Sequence, residues 1–263
     1  MQYGPQLGWP KYNKSVASFL SRQYDDIVPE DSIIATAGAS SGLYILLTLL
    51  LRERKFPVFV EDLTYMIGIK ILNKDLGLEL IPISMSSENC LDLPQLELAS
   101  KDLPEIQVAP GRSLKAVIYL IPTFHNPTGR CLSDECFVHL IEIARRQKLL
   151  IICDDVYNAL YFEGSSAPKR LFAYDNNSDA DYCGSVVSNG TFSKLLTPGL
   201  RVGWMEAPDW IRQLWHQSSM LQSGGCLNNY TSGVLHAAIE MGLVDTFVQD
   251  LRELYKVIVI NVV

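Results

Sequence analysis

The chain of 263 residues is long enough to bury one large hydrophobic core or two small ones. Hydrophobic residues make up 48% of it and charged residues 19%, the balance of an ordinary globular protein. The net charge of −7 argues against nucleic acid as a partner, because phosphate binding needs a basic face. The longest apolar stretch, residues 43–51, is shorter than the ~20 residues that a membrane-spanning helix needs, so we expect no membrane partner.

Short apolar runs, rich in β-branched and aliphatic residues, alternate with longer amphipathic segments along the chain. Five of these runs predict strands, in chain order 32–36, 57–60, 115–121, 149–153 and 184–188. Near-continuous apolar strands separated by helices are typical of a sheet that is covered on both faces. We therefore predict an α/β fold with a mostly parallel sheet and helices on both of its faces.

Two helices are predicted clearly, over 40–54 and 133–147. The first follows a glycine turn and is apolar enough to be buried. The second begins at Ser133, a suitable capping residue, and carries acids in its first turn and arginines in its last, which complement the helix dipole. The segment 84–113 is punctuated by prolines, and we interpret it as a surface connection that contains one short helix.

The six cysteines do not form a recognisable metal-binding pattern. No Cys-x-x-Cys pair occurs, and Cys136 and His139 lack a second pair of ligands to complete a zinc site. We therefore expect no metal, free thiols and a reducing compartment. The N-terminus lacks the features of a signal peptide, so the expected location is the cytoplasm, or mitochondria if a targeting segment is missing.

The segment 188–204 places Lys194 just beyond an apolar strand, among hydroxyls and glycines. A lysine that forms a Schiff base must be partly desolvated to become a neutral nucleophile. The hydroxyls of Thr191 and Ser193, with the guanidinium of Arg201, suit a phosphate dianion. The alternative interpretation is a solvated loop with an incidental lysine.

Four other segments place polar or aromatic residues after predicted strands, where the active sites of such sheets collect. Asp154 ends one strand and is suited to pair with a protonated pyridine nitrogen, and Tyr157 follows it. Asn126 lies in a turn beside His125, which we interpret as structural. Taken singly, a helix-capping aspartate with a packed tyrosine is the favoured interpretation of Asp154 and Tyr157, and turn residues such as those around Asn126 are expected after a strand in any protein. The remaining two segments are the glycine turn 36–43, whose helix start offers free N–H groups to an anion, and 60–65, which ends in an aromatic residue, Tyr65.

Together, and in this order, the five segments resemble the class I/II aminotransferases of pyridoxal 5′-phosphate (PLP) fold type I. The motifs that carry the resemblance are Asn-Pro-Thr-Gly at 126–129, Asp-x-x-Tyr at 154–157 and Ser-Lys-x-x-x-Pro-Gly-x-Arg at 193–201. The similarity runs from Gln2 to about Gly242. It looks closest to the branch that includes kynurenine and 2-aminoadipate aminotransferases and the aminotransferase-like domains of MocR-type regulators.

The resemblance implies a role for each matching residue. Lys194 would be the catalytic residue, carrying PLP as a Schiff base and moving a proton between the substrate Cα and the cofactor. Asp154 would hold the pyridine nitrogen protonated, and Tyr3 would reach the phosphate in the neighbouring subunit of a homodimer with shared active sites. The implied cofactor-binding set is Tyr3, Ala39, Ser40, Tyr65, Asn126, Asp154, Tyr157, Thr191, Ser193, Lys194 and Arg201.

The resemblance also implies how the chain is divided and what it does. Residues 1–245 would form the PLP-binding large domain, including an N-terminal arm at 1–14, and 246–263 would begin a C-terminal small domain that is largely missing. The family arginine that grips the substrate carboxylate would lie in the missing part. The implied activity is the transfer of an amino group between an amino acid and a 2-oxo acid.

Three alternatives stay open beside this activity. The chain would be a truncated, catalytically impaired PLP-binding fragment or isoform, a PLP-dependent lyase of the same fold, or a MocR-like regulator domain. The regulator is disfavoured because no basic DNA-binding segment precedes Gln2.

Overall fold

A seven-stranded sheet forms the centre of the protein. The computed structural model describes residues 3–52, 55–86, 89–161, 166–224 and 228–262. In chain order the strands are β1 (Ile33–Thr36), β2 (Val58–Glu61), β3 (Leu80–Ile83), β4 (Ile106–Ala109), β5 (Arg112–Leu114), β6 (Ala116–Leu120), β7 (Leu149–Asp154), β8 (Val186–Thr191) and β9 (Gly203–Glu206). The central sheet has the order β1-β9-β8-β7-β6-β2-β3, and β4 pairs with β5 in a separate hairpin.

The helices lie between and around these strands. In chain order they are α1 (Pro10–Tyr24), α2 (Ala39–Leu50), α3 (Met66–Lys70), α4 (Leu93–Lys101), α5 (Asp134–Gln147), α6 (Asp209–Trp215), α7 (Ser219–Gly224), α8 (Asn229–Glu240) and α9 (Leu243–Val262). Short 3₁₀ turns occur at Glu30–Ser32, Asn158–Leu160, Leu171–Tyr174 and Pro198–Leu200, and a π-helical turn at Ile71–Asp75 follows α3.

Side-chain alternation explains why the central strands are apolar almost throughout. In β7, Leu150 and Ile152 pack with α2 and α6 on one face, whereas Leu149, Ile151 and Cys153 pack with α4 and α5 on the other. Both faces of β7 are therefore buried. This arrangement confirms the predicted α/β fold with helices on both sides of the sheet.

The sheet is mostly parallel, as predicted, but two of its strands were missed. All five predicted strands exist, and β2, β3, β6, β7 and β8 are parallel to their neighbours in that part of the sheet. The strand β9 runs antiparallel to both β1 and β8 and carries the buried acid Glu206, which breaks the apolar pattern. The strand β3 contains Pro82, which is tolerated because β3 lies at the edge of the sheet.

The predicted helices agree with the structure in position. Ser133 caps α5 by accepting a hydrogen bond from the Cys136 N–H at 3.2 Å. The helix predicted over 40–54 ends at Leu50 in α2, and Arg54 lies outside the described residues. The interpretation of 84–113 as a surface connection with one helix is wrong in part, because the segment also forms the β4–β5 hairpin around the turn at Gly111.

A third layer consists of α1, α8 and α9, which pack together beside β1 and β9. Arg22 and Gln23 of α1 both donate hydrogen bonds to Asp245 of α9. The helix α9 runs across the predicted domain boundary at residue 245, and the division at that point stays a prediction. Across the described parts of the chain, no helix combines the length and the apolar character needed to cross a membrane.

The expectation that all cysteines are free thiols is wrong. Cys90 and Cys136 form a disulfide, with a Cα–Cα distance of 5.3 Å, across 46 residues of sequence. The segment before α4 reaches the first turn of α5 because the Ser133 N–H donates to the Asn89 carbonyl at 3.1 Å. Sequence spacing gives no sign of such a long-range approach. Cys131, Cys153 and Cys183 are free, and Cys226 lies outside the described residues.

Candidate active site

The carboxyl ends of the parallel strands converge on a cavity of about 150 Å³. Predicted residues reach this cavity from the ends of β2, β6, β7 and β8 and from the start of α2. The residues that line it are Ala39, Ser40, Tyr65, Ile121, Asn126, Asp154, Val156, Tyr157, Thr191, Ser193, Lys194, Pro198 and Arg201. Ten of the eleven residues that the sequence assigned to cofactor binding are therefore brought together.

Asp154 is the buried acid of the cavity, with 8% of its surface exposed. Its Oδ2 accepts a hydrogen bond from the Tyr119 hydroxyl at 2.7 Å. Burial raises the pKa of Asp154 to about 6, although the Tyr119 hydrogen bond and the positive charge of Lys194 both lower it. A positive charge that enters the cavity would stabilise the ionised form of this buried carboxyl.

Asn126 and Tyr157 lie together on the same side of the cavity. The Asn126 Nδ2 donates to the Tyr157 hydroxyl at 3.4 Å, so two polar groups converge near one point. Tyr65 is half-buried, and burial followed by the charge of Asp154 raises the pKa of its hydroxyl. The aromatic ring of Tyr65 and the acid Asp154 therefore face a common space.

An anion-binding corner is formed where β8 and β9 meet the start of α2. Arg201 Nη1 donates to Ser193 Oγ at 3.1 Å, and Thr191 Oγ1 donates to the same Ser193 oxygen at 3.0 Å. Gly38 precedes α2 with a φ of 95°, and the residues that start the helix have no side-chain cap. The first N–H groups of α2 and the Arg201 guanidinium are thus available to one anion.

Two predicted site residues differ from expectation. Lys194 is exposed, so the described part of a single chain does not supply the desolvation that we predict for a Schiff-base lysine. Tyr3 is 83% exposed and is not among the described residues that line the cavity, and Gln2 beside it lies outside the described residues. The single chain therefore leaves the predicted role of Tyr3 untested.

Comparison with known proteins decides the family. The model of the family "Aminotransferase class I and II" matches residues 1–257. The chain belongs to the class I and II aminotransferases. This confirms the family that the sequence motifs indicate, and with it the PLP cofactor on which this family depends.

Individual aminotransferases show how similar the chain is to characterised proteins. It is 27% identical to aromatic-amino-acid aminotransferase 1 of Thermococcus litoralis over 257 residues, which is 97% of this chain and 58% of that protein. Its fold matches the kynurenine aminotransferase of Pyrococcus horikoshii with a TM-score of 0.77 and 26% identity, covering 97% of this chain and 59% of that one.

The α-aminoadipate aminotransferase LysN of Thermus thermophilus gives the same TM-score, 0.77, at 25% identity, with 97% of this chain and 59% of that chain covered. Similarity to kynurenine and aminoadipate enzymes agrees with the predicted branch. The chain spans about three fifths of the length of these relatives.

The described residues of this chain fit PLP. Oδ1 of Asp154 is buried and has no hydrogen-bond partner among the described residues, which leaves it free to accept from a protonated ring nitrogen. A Cβ atom at Gly38 would lie 2.9 Å from Arg201 Nη2, so the glycine keeps open the corner that suits the phosphate. The cavity therefore has matching groups for both ends of the cofactor.

Sequence motifs missed two residues that organise the candidate site. Tyr119 donates a hydrogen bond to Asp154 from near the end of β6, where it is one more member of an apolar run. Asn189 lies buried in β8, and its Nδ2 donates to the Ala39 carbonyl at 2.9 Å, which ties the start of α2 to the sheet. The signal that could have marked Asn189 is its position directly after the predicted buried strand 184–188, where the structure extends β8 to Thr191.

The contacts of His125 agree with its interpretation as a structural residue, which stays a prediction. Its Nε2 lies 3.2 Å from Glu61 Oε2, and its Nδ1 lies 2.7 Å from Thr128 Oγ1. The Ile121 N–H also donates to Glu61 Oε2 at 3.0 Å. These contacts connect the end of β2 to the turn that carries Asn126.

Proposed function

We propose that this chain is a PLP-dependent transaminase that moves an amino group between an amino acid and a 2-oxo acid. The observation that carries the proposal is the pairing of Asp154, with its free buried Oδ1, and Lys194 across one cavity. When bound there, PLP supplies an electron sink for the Cα–H bond of the amino acid.

The residues of the chain divide the remaining tasks among them. Lys194 would take the proton from the substrate Cα and return a proton to the cofactor carbon that accepts the amino group. Asp154 would hold the ring nitrogen protonated, and Asn126 and Tyr157 would donate to the ring oxygen. Tyr65 would cover the ring face. The phosphate would be held by Ala39, Ser40, Thr191, Ser193 and Arg201.

The test of cofactor binding is spectroscopic. Purified protein mixed with PLP should show the visible absorption band of lysine-bound cofactor, and borohydride should remove the band and leave the label on Lys194. The Lys194→Ala variant should lose both signals. Lys74 is exposed and does not line the cavity, so Lys74→Ala should keep both. Wild-type protein without a band would contradict the proposal.

A second assay separates amino transfer from the alternatives. A panel of aromatic and acidic amino acids with 2-oxoglutarate should yield the matching 2-oxo acid and glutamate in equal amounts. Release of ammonia or of a carbon fragment instead would identify a lyase. PLP binding without turnover is the third outcome, and it is expected of a catalytically impaired fragment. Of the two alternatives, the exposure of Lys194 favours this fragment over the lyase.

We also propose that the protein forms a homodimer with shared active sites. Tyr3, Leu63 and Met66 are largely exposed, and the last two flank Tyr65 of the cavity in sequence. A second subunit placed there would cover Lys194 and bring its own Tyr3 towards the phosphate corner. Light scattering should give twice the chain mass, and Leu63→Asp should lower both that mass and the PLP affinity. A monomeric wild type would contradict this part.

A cytoplasmic location completes the proposal. The Cys90–Cys136 disulfide counts against it, because disulfides are rare in reducing compartments. Cell fractionation with thiol labelling tests both the location of the protein and the oxidation state of Cys90 and Cys136. Recovery of the oxidised protein from an oxidising compartment would overturn this location.

A further inference from the structure

Tyr119 and Asp154 belong to neighbouring parallel strands and point to the same face of the sheet. The register of β6 and β7 pairs Tyr119 with Ile152, two residues before Asp154. Because side chains alternate along a strand, Ile152 and Asp154 share the face on which Tyr119 packs. The 2.7 Å hydrogen bond between the two side chains follows from this register.

The two oxygens of the Asp154 carboxylate have different surroundings. Oδ2 accepts from the Tyr119 hydroxyl, while Oδ1 is buried without a partner among the described residues. A buried carboxylate with one oxygen fixed can rotate little, so the other oxygen keeps one direction. We infer that Tyr119 is a positioning residue, which holds Asp154 so that Oδ1 is presented to the ring nitrogen of PLP. This inference rests on the proposed function.

Tyr119 is itself held rigidly. It is fully buried, and a Cβ atom at Gly68 of α3 would lie 2.8 Å from the Tyr119 hydroxyl oxygen. The Gly68 backbone therefore approaches the hydroxyl closely, and a larger residue at this position would displace the Tyr119 side chain. Burial, followed by the charge of Asp154, raises the pKa of Tyr119 well above its ordinary value, so the hydroxyl keeps its proton and remains a donor.

Several ionisable groups surround this pair, and they have to be kept constant in a test. Lys194, which follows β8, lowers the pKa of Asp154. Glu61, at the end of β2, and Tyr65, which follows this strand, both raise the pKa of Tyr119. Tyr119→Phe removes one hydroxyl and leaves each of these groups in place. Tyr174→Phe is the matched control, because its hydroxyl also bonds a carboxylate, that of Asp134, outside the cavity.

The experiment measures the Asp154 carboxyl in the absence of cofactor. Infrared difference spectra against Asp154→Asn, recorded through a pH titration, follow the protonation of this one group. In Tyr119→Phe the pKa of Asp154 should rise above its value in the wild type, because a hydrogen bond to the charged form has been removed. Tyr174→Phe should leave the titration unchanged.

A PLP titration of the wild type, Tyr119→Phe and Tyr174→Phe completes the test. The affinity of Tyr119→Phe should fall about tenfold at pH 7.5, which is the effect of one hydrogen bond to a charged group. Far-ultraviolet circular dichroism checks that the fold is kept. If wild type and Tyr119→Phe bind PLP equally, or share one Asp154 pKa, the role of Tyr119 is refuted. If the wild type binds no PLP, the proposed function itself is refuted.

Discussion

Arg201 approaches the backbone at Gly38 so closely that a Cβ atom on this glycine would lie 2.9 Å from Arg201 Nη2. Arg201 Nη2 also donates to the Ala37 carbonyl at 3.2 Å, so the guanidinium is fixed against the turn that starts α2. This one contact joins the two segments, 36–43 and 188–204, that the sequence assigned separately to an anion site.

Gly38→Ala should therefore weaken PLP binding. The new methyl group would displace Arg201, and the loss of one charged contact to the phosphate corresponds to about a tenfold lower affinity. Its control is Gly111→Ala, which also places alanine at a positive φ but meets nothing within 4 Å. That variant should lose about 1 kcal/mol of stability with unchanged PLP affinity. Equal affinity in the two variants would show that Arg201 does not hold the phosphate.

Asp154→Asn should stabilise the cofactor-free protein at high pH. The pKa of Asp154 is about 6 in the folded state and near 3.9 in the unfolded state, so the folded state resists ionisation. The free energy of unfolding of the wild type then falls as pH rises from about 4 to 6. Relative to the wild type, the variant should gain roughly 2–3 kcal/mol above pH 6 and nothing below pH 4. Urea unfolding across this range measures the difference, and a gain that is independent of pH would contradict it.

Arg170→Met should destabilise the fold through an unpaired buried acid. Arg170 Nε lies 2.6 Å from Glu206 Oε1, and their side chains are only 2% and 0% exposed. Removing one partner of a buried pair costs about 3–5 kcal/mol. Burial already raises the pKa of Glu206, so the loss should be largest at pH 8 and shrink at acidic pH as Glu206 takes up a proton.

Two further variants control the Arg170 experiment. Arg170→Met with Glu206→Gln should recover most of the lost stability, since the uncompensated charge is gone. Arg146→Met breaks an ion pair with Glu97 whose side chains are 53% and 44% exposed, and should change stability by less than about 1 kcal/mol. Equal losses of stability in Arg170→Met and Arg146→Met would show that the buried Arg170–Glu206 pair contributes no more to stability than an exposed ion pair.

The Cys90–Cys136 disulfide should contribute measurably to stability. It closes a loop across 46 residues, for which the chain-entropy relation gives about 4 kcal/mol. Cys90→Ser with Cys136→Ser should therefore lower the unfolding temperature, and a reducing agent should no longer affect it. Cys183→Ser, which removes a free thiol, should leave the response to reduction intact. A thiol titration that finds Cys90 and Cys136 free in the native wild type would refute the disulfide.

The parts of the site that could be predicted are those whose signal lies within one short segment of the sequence. Lys194, Asp154 and Asn126 each follow an apolar run, and the carboxyl ends of parallel strands meet at one edge of a sheet. The helix α5 was predicted from Ser133 to Gln147 because its cap, its terminal charges and its apolar face all lie within one segment. Such signals need no knowledge of distant residues.

The sequence by itself thus determined the family, the parallel centre of the sheet and the set of residues around the cavity. Only the tertiary structure decided that β9 runs antiparallel beside β1, that Cys90 meets Cys136, and that Tyr119 donates to Asp154. Each of these joins residues far apart in the chain, and the pairing depends on strand register and helix packing. A local pattern fixes the type of an element and the face that it buries, but it does not specify the partner that the element meets.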